Sequence, residues 1–517
     1  MGLARVWSVA LVGVDGVPVE IEADVGFGLP GLALVGLGDT AVQESRERVR
    51  AAVVNSEEGW PNRRTTLALS PATLPKVGSS YDLALAAAVL AANGDVPQVP
   101  LERTVLLGEL ALDGRVRAIR GVLPALLAAR RAGLSRAVVP AAVLAEAALV
   151  DGVEVLGAHR LRDVLRWLRG GVGSDDALVR PGRPVPPEPA SPPDLADVVG
   201  QSDARWALEV AAAGGHHLLL TGPPGTGKTM LAQRLVGLLP ELTDDASLEV
   251  TAIHSVAGLL SPSAPLMTIP PFVAPHHSTS VAALIGGGSG LAKPGAVSRA
   301  HRGVLFLDEA AEFASSALES LRTPLEEGEV RLARSGGVVT YPARFQLVMA
   351  SNPCPCAAAR AVDCMCSSNA RRRYLTRLSG PLLDRIDLRA PMLPVNVARL
   401  TDTGDAEPTA VVRQRVLAAR AAAEHRWAEH GWRTNAEVPG SALRRKFRLP
   451  RSALKPIDDG LSRGLLTARG ADRAIRVAWT LADLAGRDQP DDQLVLAACN
   501  LQGRPGPAGA PRPWTVA

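Results

Sequence analysis

A glycine-rich loop contains the first group of residues that could bind phosphate. The loop runs Gly222, Pro223, Pro224, Gly225, Thr226, Gly227, Lys228 and Thr229, with the spacing G-x-x-x-x-G-K-T. In such a loop, backbone N–H groups turn toward phosphate oxygens, the lysine reaches the terminal phosphates and the threonine hydroxyl ligates Mg²⁺. A short apolar run precedes the loop, and apolar residues at helical spacing follow it, which is the strand–loop–helix context that this motif requires. We therefore predict a site for ATP and Mg²⁺ here rather than a chance glycine-rich turn.

Polar residues that suit the same chemistry follow two later apolar segments. Asp308 and Glu309 end GVLFLDEA, and Asn352 ends FQLVMASN. We expect Asp308 to join Thr229 at the Mg²⁺, Glu309 to act as the base for the attacking water, and Asn352 to position that water. Alone, an acidic turn or a helix cap would explain these residues equally well. Together with the loop, they predict three strand ends directed at one ligand, as in a parallel α/β sheet.

The elements that must hold these residues divide the chain into domains. A proline-rich segment, Gly182 to Asp194, interrupts any regular pattern and predicts a linker over residues 173–195. We assign 1–172 to an N-terminal domain and 196–400 to an α/β ATPase core. We assign 401–502 to a helical C-terminal lid, and 503–517, rich in Gly and Pro, to a flexible tail.

Composition excludes several classes of protein. With 47% hydrophobic and 21% charged residues, the chain has a globular rather than a disordered balance. A net charge of +4 is too small for this length to indicate nucleic acid by itself. Met1 to Glu20 lacks a basic start followed by a long apolar run, and the longest apolar stretch, Leu83 to Ala92, is far too short to span a bilayer. We expect a cytoplasmic protein with no membrane contact.

Four of the five cysteines lie close together, directly after Asn352. Cys354, Cys356, Cys364 and Cys366 form C-x-C-x₇-C-x-C. Four thiolates suffice for a tetrahedral structural Zn²⁺ in the insertion 354–366. The alternative is a set of four reduced structural thiols without metal.

The motifs together resemble those of the AAA+ ATPases, and within them the magnesium-chelatase-like YifB/ComM family. The matching stretches include ADVVGQSDARWALEVAAAGGHHLLLTGPPGTGKT, APHHSTSVAALIGGG, PGAVSRAHRGVLFLDEAAEF, ASNPCPC and SGPLLDRIDL. The resemblance implies a homohexameric ring in which Arg385 reaches the nucleotide of the neighbouring subunit; the alternative is a surface arginine paired with Asp384 or Asp387. It also implies that Val199 and Gly200 border the adenine, and that Arg469 or Arg473 senses the nucleotide.

Contacts to DNA are also implied by this resemblance. LEEGEVRLARSGGVVTYPARFQL predicts a hairpin, with strands Glu329 to Ala333 and Val338 to Pro342 around a turn at Ser335 to Gly337. In this part of the family such a hairpin projects into the channel of the ring. Arg331 and Arg334 on the hairpin, and Lys293 in a second glycine-rich loop, are therefore candidate phosphate contacts; ordinary solvated charges explain them equally well.

The N-terminal domain contains LSPATLPKVGSSYDLALAAAVLAANG, followed by ELALDGRVRAIRGVLPALLAARRAGLSRAVVP. These stretches resemble the α+β proteolytic domain of Lon-type proteases, which has a ribosomal S5-like fold. Ser80 falls at the position of the nucleophilic serine, but Leu123 occupies the position of the lysine that would activate it, and Lys76 does not match that position. A serine without its base is a poor nucleophile, so we expect a domain without protease activity.

Three functions remain in competition at this stage. The YifB/ComM resemblance implies a DNA motor, either a helicase or a branch-migration ATPase that acts in recombination or transformation on forked or branched DNA. The magnesium-chelatase resemblance implies instead an ATPase that remodels a protein or a metallocofactor. An ATP-dependent protease is the third possibility, and Leu123 argues against it.

Overall fold

The structure is a computed structural model of the 517-residue chain. It describes residues 2–36, 40–74, 76–170, 174, 176–182, 192–288, 292–334, 337–358, 363–394 and 407–502. Residues 183–191 of the predicted linker, the centre of the predicted hairpin turn and the whole predicted tail therefore lie outside the described residues. Within the described ranges, no helix combines the length and the apolar character needed to cross a bilayer.

The N-terminal region is built on a seven-stranded mixed sheet with the order β3-β4-β2-β1-β5-β8-β9. Its strands, with the short β6–β7 pair beside them, are β1 Gly2–Val12, β2 Asp15–Gly26, β3 Gly31–Val35, β4 Arg64–Ser70, β5 Thr104–Leu106, β6 Glu109–Leu110, β7 Val116–Arg117, β8 Arg136–Pro140 and β9 Glu154–Ala158. Its helices are α1 Thr40–Asn55, α2 Asp82–Asn93, α3 Val122–Arg131, α4 Leu144–Ala147 and α5 Leu161–Arg169. The Ala- and Leu-rich α2 is buried along almost its whole length because it packs against the sheet on one side and α1 on another.

The central region contains a five-stranded sheet, with the order β11-β14-β17-β10-β18 and every pairing parallel. Its strands are β10 Leu218–Thr221, β11 Phe272–Val273, β14 Val304–Leu307, β17 Gln346–Ser351 and β18 Leu388–Pro391. The three strands expected from the sequence to end at the ligand are adjacent. Their residues are almost all buried, as is usual when helices cover both faces of a parallel sheet.

Helices and two short β-ribbons surround this sheet. The helices are α6 Ser202–Gly214, α7 Lys228–Leu238, α8 Asp244–Ala257, α9 Val281–Ile285, α10 Ala296–Arg299, α11 Ser315–Ser320, α12 Arg322–Glu327, α13 Ser368–Leu375 and α14 Gly380–Leu383. The ribbons are β12 Gly286–Gly287 with β13 Lys293–Pro294, and β15 Glu329–Arg334 with β16 Gly337–Pro342. The second ribbon is the hairpin that the sequence predicts.

The C-terminal region is helical within the described residues. Its helices are α15 Thr409–Trp427, α16 Gly440–Arg444, α17 Arg451–Ser462, α18 Ala468–Leu484 and α19 Asp492–Asn500. These helices share one hydrophobic core with α6, α7 and the face of the sheet that those two helices cover. Trp427 is fully buried at the centre of an aromatic cluster, with ring centroids 4.7 Å from Phe447 and 5.6 Å from Trp479. Its indole N–H donates to Asn435 at 2.8 Å, so its polar atom is satisfied.

Two contacts between the N-terminal region and the central one stand out among the described residues. At the first, α3 packs against α8, and the buried carboxylate of Glu146 accepts both the backbone N–H of Leu123, at 2.8 Å, and the hydroxyl of Ser255, at 2.5 Å. Burial raises the pKa of Glu146. At the second, the β1–β2 turn meets the β15–β16 hairpin. A Cβ added to Gly13, whose φ is +68°, would lie 2.8 Å from Val339 Cγ1, so both the turn and this contact require glycine.

We predict that Trp427→Ala lowers the free energy of unfolding by about 3–5 kcal/mol, because it removes a fully buried ring and leaves a cavity among three aromatic side chains. Urea denaturation followed by circular dichroism measures the change. Leu465→Ala is the control, since this side chain is exposed and we expect a change within about 0.5 kcal/mol. Equal losses in the two variants would contradict the assignment of Trp427 to the core.

Candidate functional site

The register of the central sheet brings the predicted site residues to one edge. Thr221 is paired with Ser351, and Leu307 with Met349, so β10, β14 and β17 end side by side. The glycine-rich loop follows β10, the two acids follow β14, and Asn352 follows β17. This is the carboxyl edge of a parallel sheet, where ligands bind in open α/β folds.

Lys228 joins the loop to the end of β17. Its Nζ donates to Asn352 Oδ1 at 3.0 Å, and to the carbonyls of Gly222 and Pro223 at 2.7 and 2.8 Å. The side chain is therefore folded over the loop, and only 9% of the residue is exposed. Burial lowers the pKa of Lys228, while the negative charges of Asp308 and Glu309 oppose that shift.

Thr229 joins the loop to the end of β14. Its hydroxyl donates to Asp308 Oδ2 at 2.6 Å, and Asp308 Oδ1 accepts the backbone N–H of Glu309 at 2.9 Å. Hydroxyl and carboxylate oxygens are the ligands that Mg²⁺ takes from proteins. Thr229 and Asp308 thus fit the hard cation that the sequence predicts between them.

The loop itself fits a polyphosphate. Gly225 and Gly227 have φ of +75° and +87°, and a Cβ at either would meet open space, so their conformation rather than crowding requires glycine. The first backbone N–H groups of α7, which begins at Lys228, have no partner within the helix and carry its positive dipole end. These donors and the Lys228 ammonium together suit a highly charged anion such as a triphosphate.

Glu309 has a neighbour that the sequence did not assign to the site. His277 follows β11, and its Nδ1 lies 3.3 Å from Glu309 Oε2. Glu309 also adopts φ of +50°, a left-handed conformation that is uncommon outside glycine and that tends to occur at functional sites. The PHH motif was visible in the sequence, but no spacing rule links it to a residue 32 positions later.

The segment expected to border the adenine lies beside the loop. Val199 and Gly200 are half-buried and precede Gln201, whose side-chain N–H₂ donates to the carbonyls of Thr226, at 3.2 Å, and Leu393, at 2.6 Å. Gly200 and Gln201 both have positive φ, so the chain turns sharply before α6. Val199 and Gly200 thus lie next to the residue that contacts the loop, and their contact with the adenine remains a prediction.

The arginines proposed from the family resemblance lie away from the Lys228 contacts. Arg385 forms an ion pair with Glu326 of the same chain and donates to the carbonyl of Pro381 at 2.5 Å. Arg473 donates to the carbonyls of Leu383 and Ile386, at 3.3 and 3.2 Å, and burial lowers its pKa. Arg469 is exposed. Arg473 therefore contacts the backbone on both sides of Arg385, an arrangement that the sequence did not predict.

The predicted DNA contacts are partly engaged within the chain. Arg331 is exposed on β15, but its guanidinium pairs with Glu329 at 2.6 Å and lies 3.7 Å from Glu327. Lys293 is exposed on β13, which pairs with Gly286 and Gly287 of β12. Arg334 ends β15, and its side chain lies outside the described part of the structure. The hairpin is present, whereas contact between these basic side chains and DNA remains a prediction.

The four cysteines of the insertion converge. The ligand atoms of Cys354, Cys356, Cys364 and Cys366 all lie within 4.8 Å of one another. Three of the separations are 3.2, 3.5 and 3.6 Å, close to the ~3.8 Å expected between sulfurs bound tetrahedrally to zinc at ~2.3 Å. Hydrogen bonding to Cys354 and Cys366 lowers the pKa of Cys356 to about 6, whereas burial raises the pKa of Cys354 and the hydrogen bond to Cys356 raises that of Cys366. The cluster could hold one metal ion such as Zn²⁺.

In the N-terminal region, the residues of the hypothetical dyad do not form one. Lys76 is fully buried, and its ammonium donates to the carbonyls of Leu69, at 3.0 Å, and Pro71. Leu123 is also fully buried, in the core around α3. Its backbone N–H, rather than its side chain, makes the polar contact there, with Glu146.

Comparison with known proteins covers nearly the whole chain. Three family models match, described as "Magnesium chelatase, subunit ChlI" over residues 194–400, "Subunit ChlI of Mg-chelatase" over 21–143, and "Magnesium chelatase, subunit ChlI C-terminal" over 406–502. The chain is 62% identical to the protein Rv2897c of Mycobacterium tuberculosis over 502 residues, which cover 97% of this chain and 99% of that protein.

Two further relatives carry family names. YifB of Escherichia coli is 40% identical over 493 residues, covering 95% of this chain and 94% of that protein. Competence protein ComM of Haemophilus influenzae is 40% identical over 503 residues, covering 95% of each chain. With a strand–loop–helix phosphate site on a parallel sheet and relatives that match from end to end, the chain belongs to the magnesium-chelatase-like YifB/ComM family.

Proposed function

We propose that the protein is a hexameric AAA+ ATPase that couples ATP hydrolysis to the remodelling of DNA, as a helicase or a branch-migration motor. One observation carries the ATPase part: Lys228 reaches Asn352 at 3.0 Å while Thr229 reaches Asp308 at 2.6 Å. Three strand ends thus present an ammonium, a hydroxyl, a carboxylate and an amide to the same small volume. That combination suits a magnesium-bound triphosphate.

Each group has a distinct task in this proposal. The loop amides and Lys228 bind the phosphates and hold them in line with the attacking water. Thr229 and Asp308 hold the Mg²⁺, which when bound neutralises charge on the phosphate oxygens. Glu309 accepts the proton of the attacking water, and Asn352 orients that water. The contacts of Lys228 and Asp308 within the chain are those that ATP and Mg²⁺ would replace.

The ring is proposed from the family resemblance, in which an arginine of one subunit reaches the nucleotide of the next. Within its own chain, Arg385 is engaged by Glu326. We propose that Arg385 reaches the site of the neighbouring subunit, where an arginine finger contributes roughly 10³–10⁵ in rate in related ATPases. Arg469, or alternatively Arg473, which contacts the backbone beside Arg385, is the proposed nucleotide sensor of the C-terminal lid.

DNA is the proposed substrate of the motor. The β15–β16 hairpin carries Arg331 and Arg334, and β13 carries the exposed Lys293. Such cations bind phosphates without reading the sequence. The similarity to a competence protein supports DNA as the substrate. We place this activity in the cytoplasm. We also propose that the Lon-like N-terminal domain is not proteolytic, because Leu123 occupies the lysine position of the protease and Lys76 is engaged by backbone carbonyls.

The alternative is an ATPase that remodels a protein or a metallocofactor. The observation that favours it is the match of all three regions to magnesium-chelatase models. Forked or four-way junction DNA discriminates the two functions. Stimulated ATP hydrolysis supports the DNA motor, and hydrolysis that no DNA stimulates supports remodelling.

We predict that Glu309→Gln lowers kcat for ATP hydrolysis by about 10²–10⁴-fold while ATP still binds, because the amide cannot accept a proton from water. Steady-state hydrolysis and titration with a fluorescent ATP analogue measure the two effects. Glu312→Gln is the matched control. It removes the same charge three residues further along the chain, from a carboxylate that pairs with Arg377 instead of lying at the site. A Glu309→Gln protein that hydrolyses ATP as fast as the parent would contradict the assignment.

We predict that Arg331→Ala weakens binding to DNA equally for different sequences. It should reduce the slope of log K against log salt by about 0.7–0.9, the contribution of one phosphate contact. Fluorescence anisotropy with forked DNA at several salt concentrations measures the slope. Arg433→Ala, which removes an equally exposed arginine from the C-terminal region, is the control. Identical slopes in the two variants would remove Arg331 from the interface.

We also propose that the cysteine cluster holds one structural Zn²⁺, and we predict one zinc per chain in metal analysis of purified protein. Cys354→Ser should lose the metal, because Cys354 is the buried member of the cluster. Cys499→Ser is the control, since Cys499 lies outside the cluster. Full zinc content in Cys354→Ser, or none in the parent protein, would contradict a four-cysteine site.

A further inference from the structure

The guanidinium of Arg385 is held within its own chain. Nη2 forms the ion pair with Glu326, Nη1 donates to Pro381, and the side chain is only 13% exposed. Glu326 is 59% exposed. The arginine is therefore covered while its acidic partner stands at the surface. A guanidinium that faces a carboxylate in this way cannot present the same N–H groups to a phosphate.

Glu326 lies immediately before the hairpin. It is near the end of α12, which stops at Gly328, and β15 begins at the next residue. Gly328 has φ of +70°, and its carbonyl accepts the backbone N–H of Ala343, just after β16, at 2.8 Å. Both ends of the hairpin thus meet at Gly328. A displacement of the hairpin acts directly on the last turn of α12, where Glu326 lies.

The other side of Arg385 is fixed by a different region. Arg473 of α18 donates to the carbonyls of Leu383 and Ile386, which flank Arg385. The backbone that carries Arg385 is therefore anchored to the C-terminal helices, whereas the ion-pair partner of its side chain belongs to the hairpin side. The Glu326–Arg385 pair therefore joins these two parts of the molecule.

We propose that Glu326 is a positioning residue that couples the hairpin to Arg385. With the hairpin at rest, Glu326 retains Arg385 in its own chain. When DNA displaces the hairpin, α12 withdraws Glu326, and Arg385 becomes available to the nucleotide of the neighbouring subunit. This inference rests on the proposed function, because it requires Arg385 to act across the subunit boundary.

Glu326→Gln tests the coupling, since it keeps the shape of the side chain and removes its charge. We expect kcat without DNA to rise roughly 2- to 5-fold, in proportion to the modest strength of a partly exposed ion pair, with KM unchanged. Stimulation by forked DNA should fall by the same factor. Glu424→Gln is the control, because it removes an exposed acid of α15 that lies 4.0 Å from its partner Arg433, which is also exposed.

Assembly provides a readout independent of hydrolysis. In sedimentation velocity with a non-hydrolysable ATP analogue, Glu326→Gln should form rings at a roughly 2- to 5-fold lower protein concentration, since Arg385 is free to bind across the boundary. Arg385→Ala should need a higher concentration than the parent. The double variant should match Arg385→Ala in both assembly and kcat, because Glu326 acts through that arginine.

The outcomes separate this inference from the proposed function. If Arg385→Ala hydrolyses ATP and assembles like the parent, the finger itself is wrong. If Arg385→Ala loses turnover but Glu326→Gln behaves like Glu424→Gln, the finger stands and the coupling through Glu326 is overturned. A lower kcat in Glu326→Gln, or additive effects in the double variant, also overturns the coupling.

Discussion

The parallel register of β10, β14 and β17 is the constraint on which the site depends. Because Thr221 is level with Ser351 and Leu307 with Met349, the residues that follow the strands emerge at one edge. Lys228 and Thr229 then reach Asn352 and Asp308 by single hydrogen bonds. A shift of one strand by a residue would reverse its side chains and separate these groups. The buried apolar strands thus position charged residues that contribute nothing to the core.

The chemistry at this edge is concentrated on the ends of β14 and β17. Both carboxylate oxygens of Asp308 are engaged, one by Thr229 and one by the backbone of Glu309. This leaves Glu309 on a left-handed turn, from which its side chain meets His277 after β11. The cysteine cluster begins two residues after Asn352. A metal bound there would restrain the loop that leaves β17.

The hairpin is joined to more of the molecule than its two strands suggest. Its second strand, β16, contacts Gly13 of the β1–β2 turn. Its base follows α12, whose Glu326 pairs with Arg385. The N-terminal region is also fixed through Glu146 to Ser255 of α8. The buried Glu146 has partners on both regions, so separation of the regions would break its hydrogen bond to Ser255 while the bond to Leu123 remained. These contacts link the proposed DNA-binding element to the proposed finger and to the N-terminal sheet.

The sequence alone determined the elements whose signals are local. The loop at Gly222 to Thr229, the three apolar strands, the hairpin and the helical C-terminal region follow from glycine spacing and hydrophobic periodicity, and they lie where the sequence predicts them. The convergence of Lys228, Asp308 and Asn352 could also be expected, because parallel strands end at one edge. The roles of these residues, the ring and the DNA remain proposals.

Tertiary structure decided the contacts between residues distant in sequence. Nothing local in the sequence pairs His277 with Glu309, Glu326 with Arg385, or Arg473 with the carbonyls around Arg385. Charged side chains carry no periodic signal, and many partners of opposite charge are available to each of them. Which partner each one meets depends on how helices and loops pack around the sheet, and that packing is a property of the whole chain rather than of any segment.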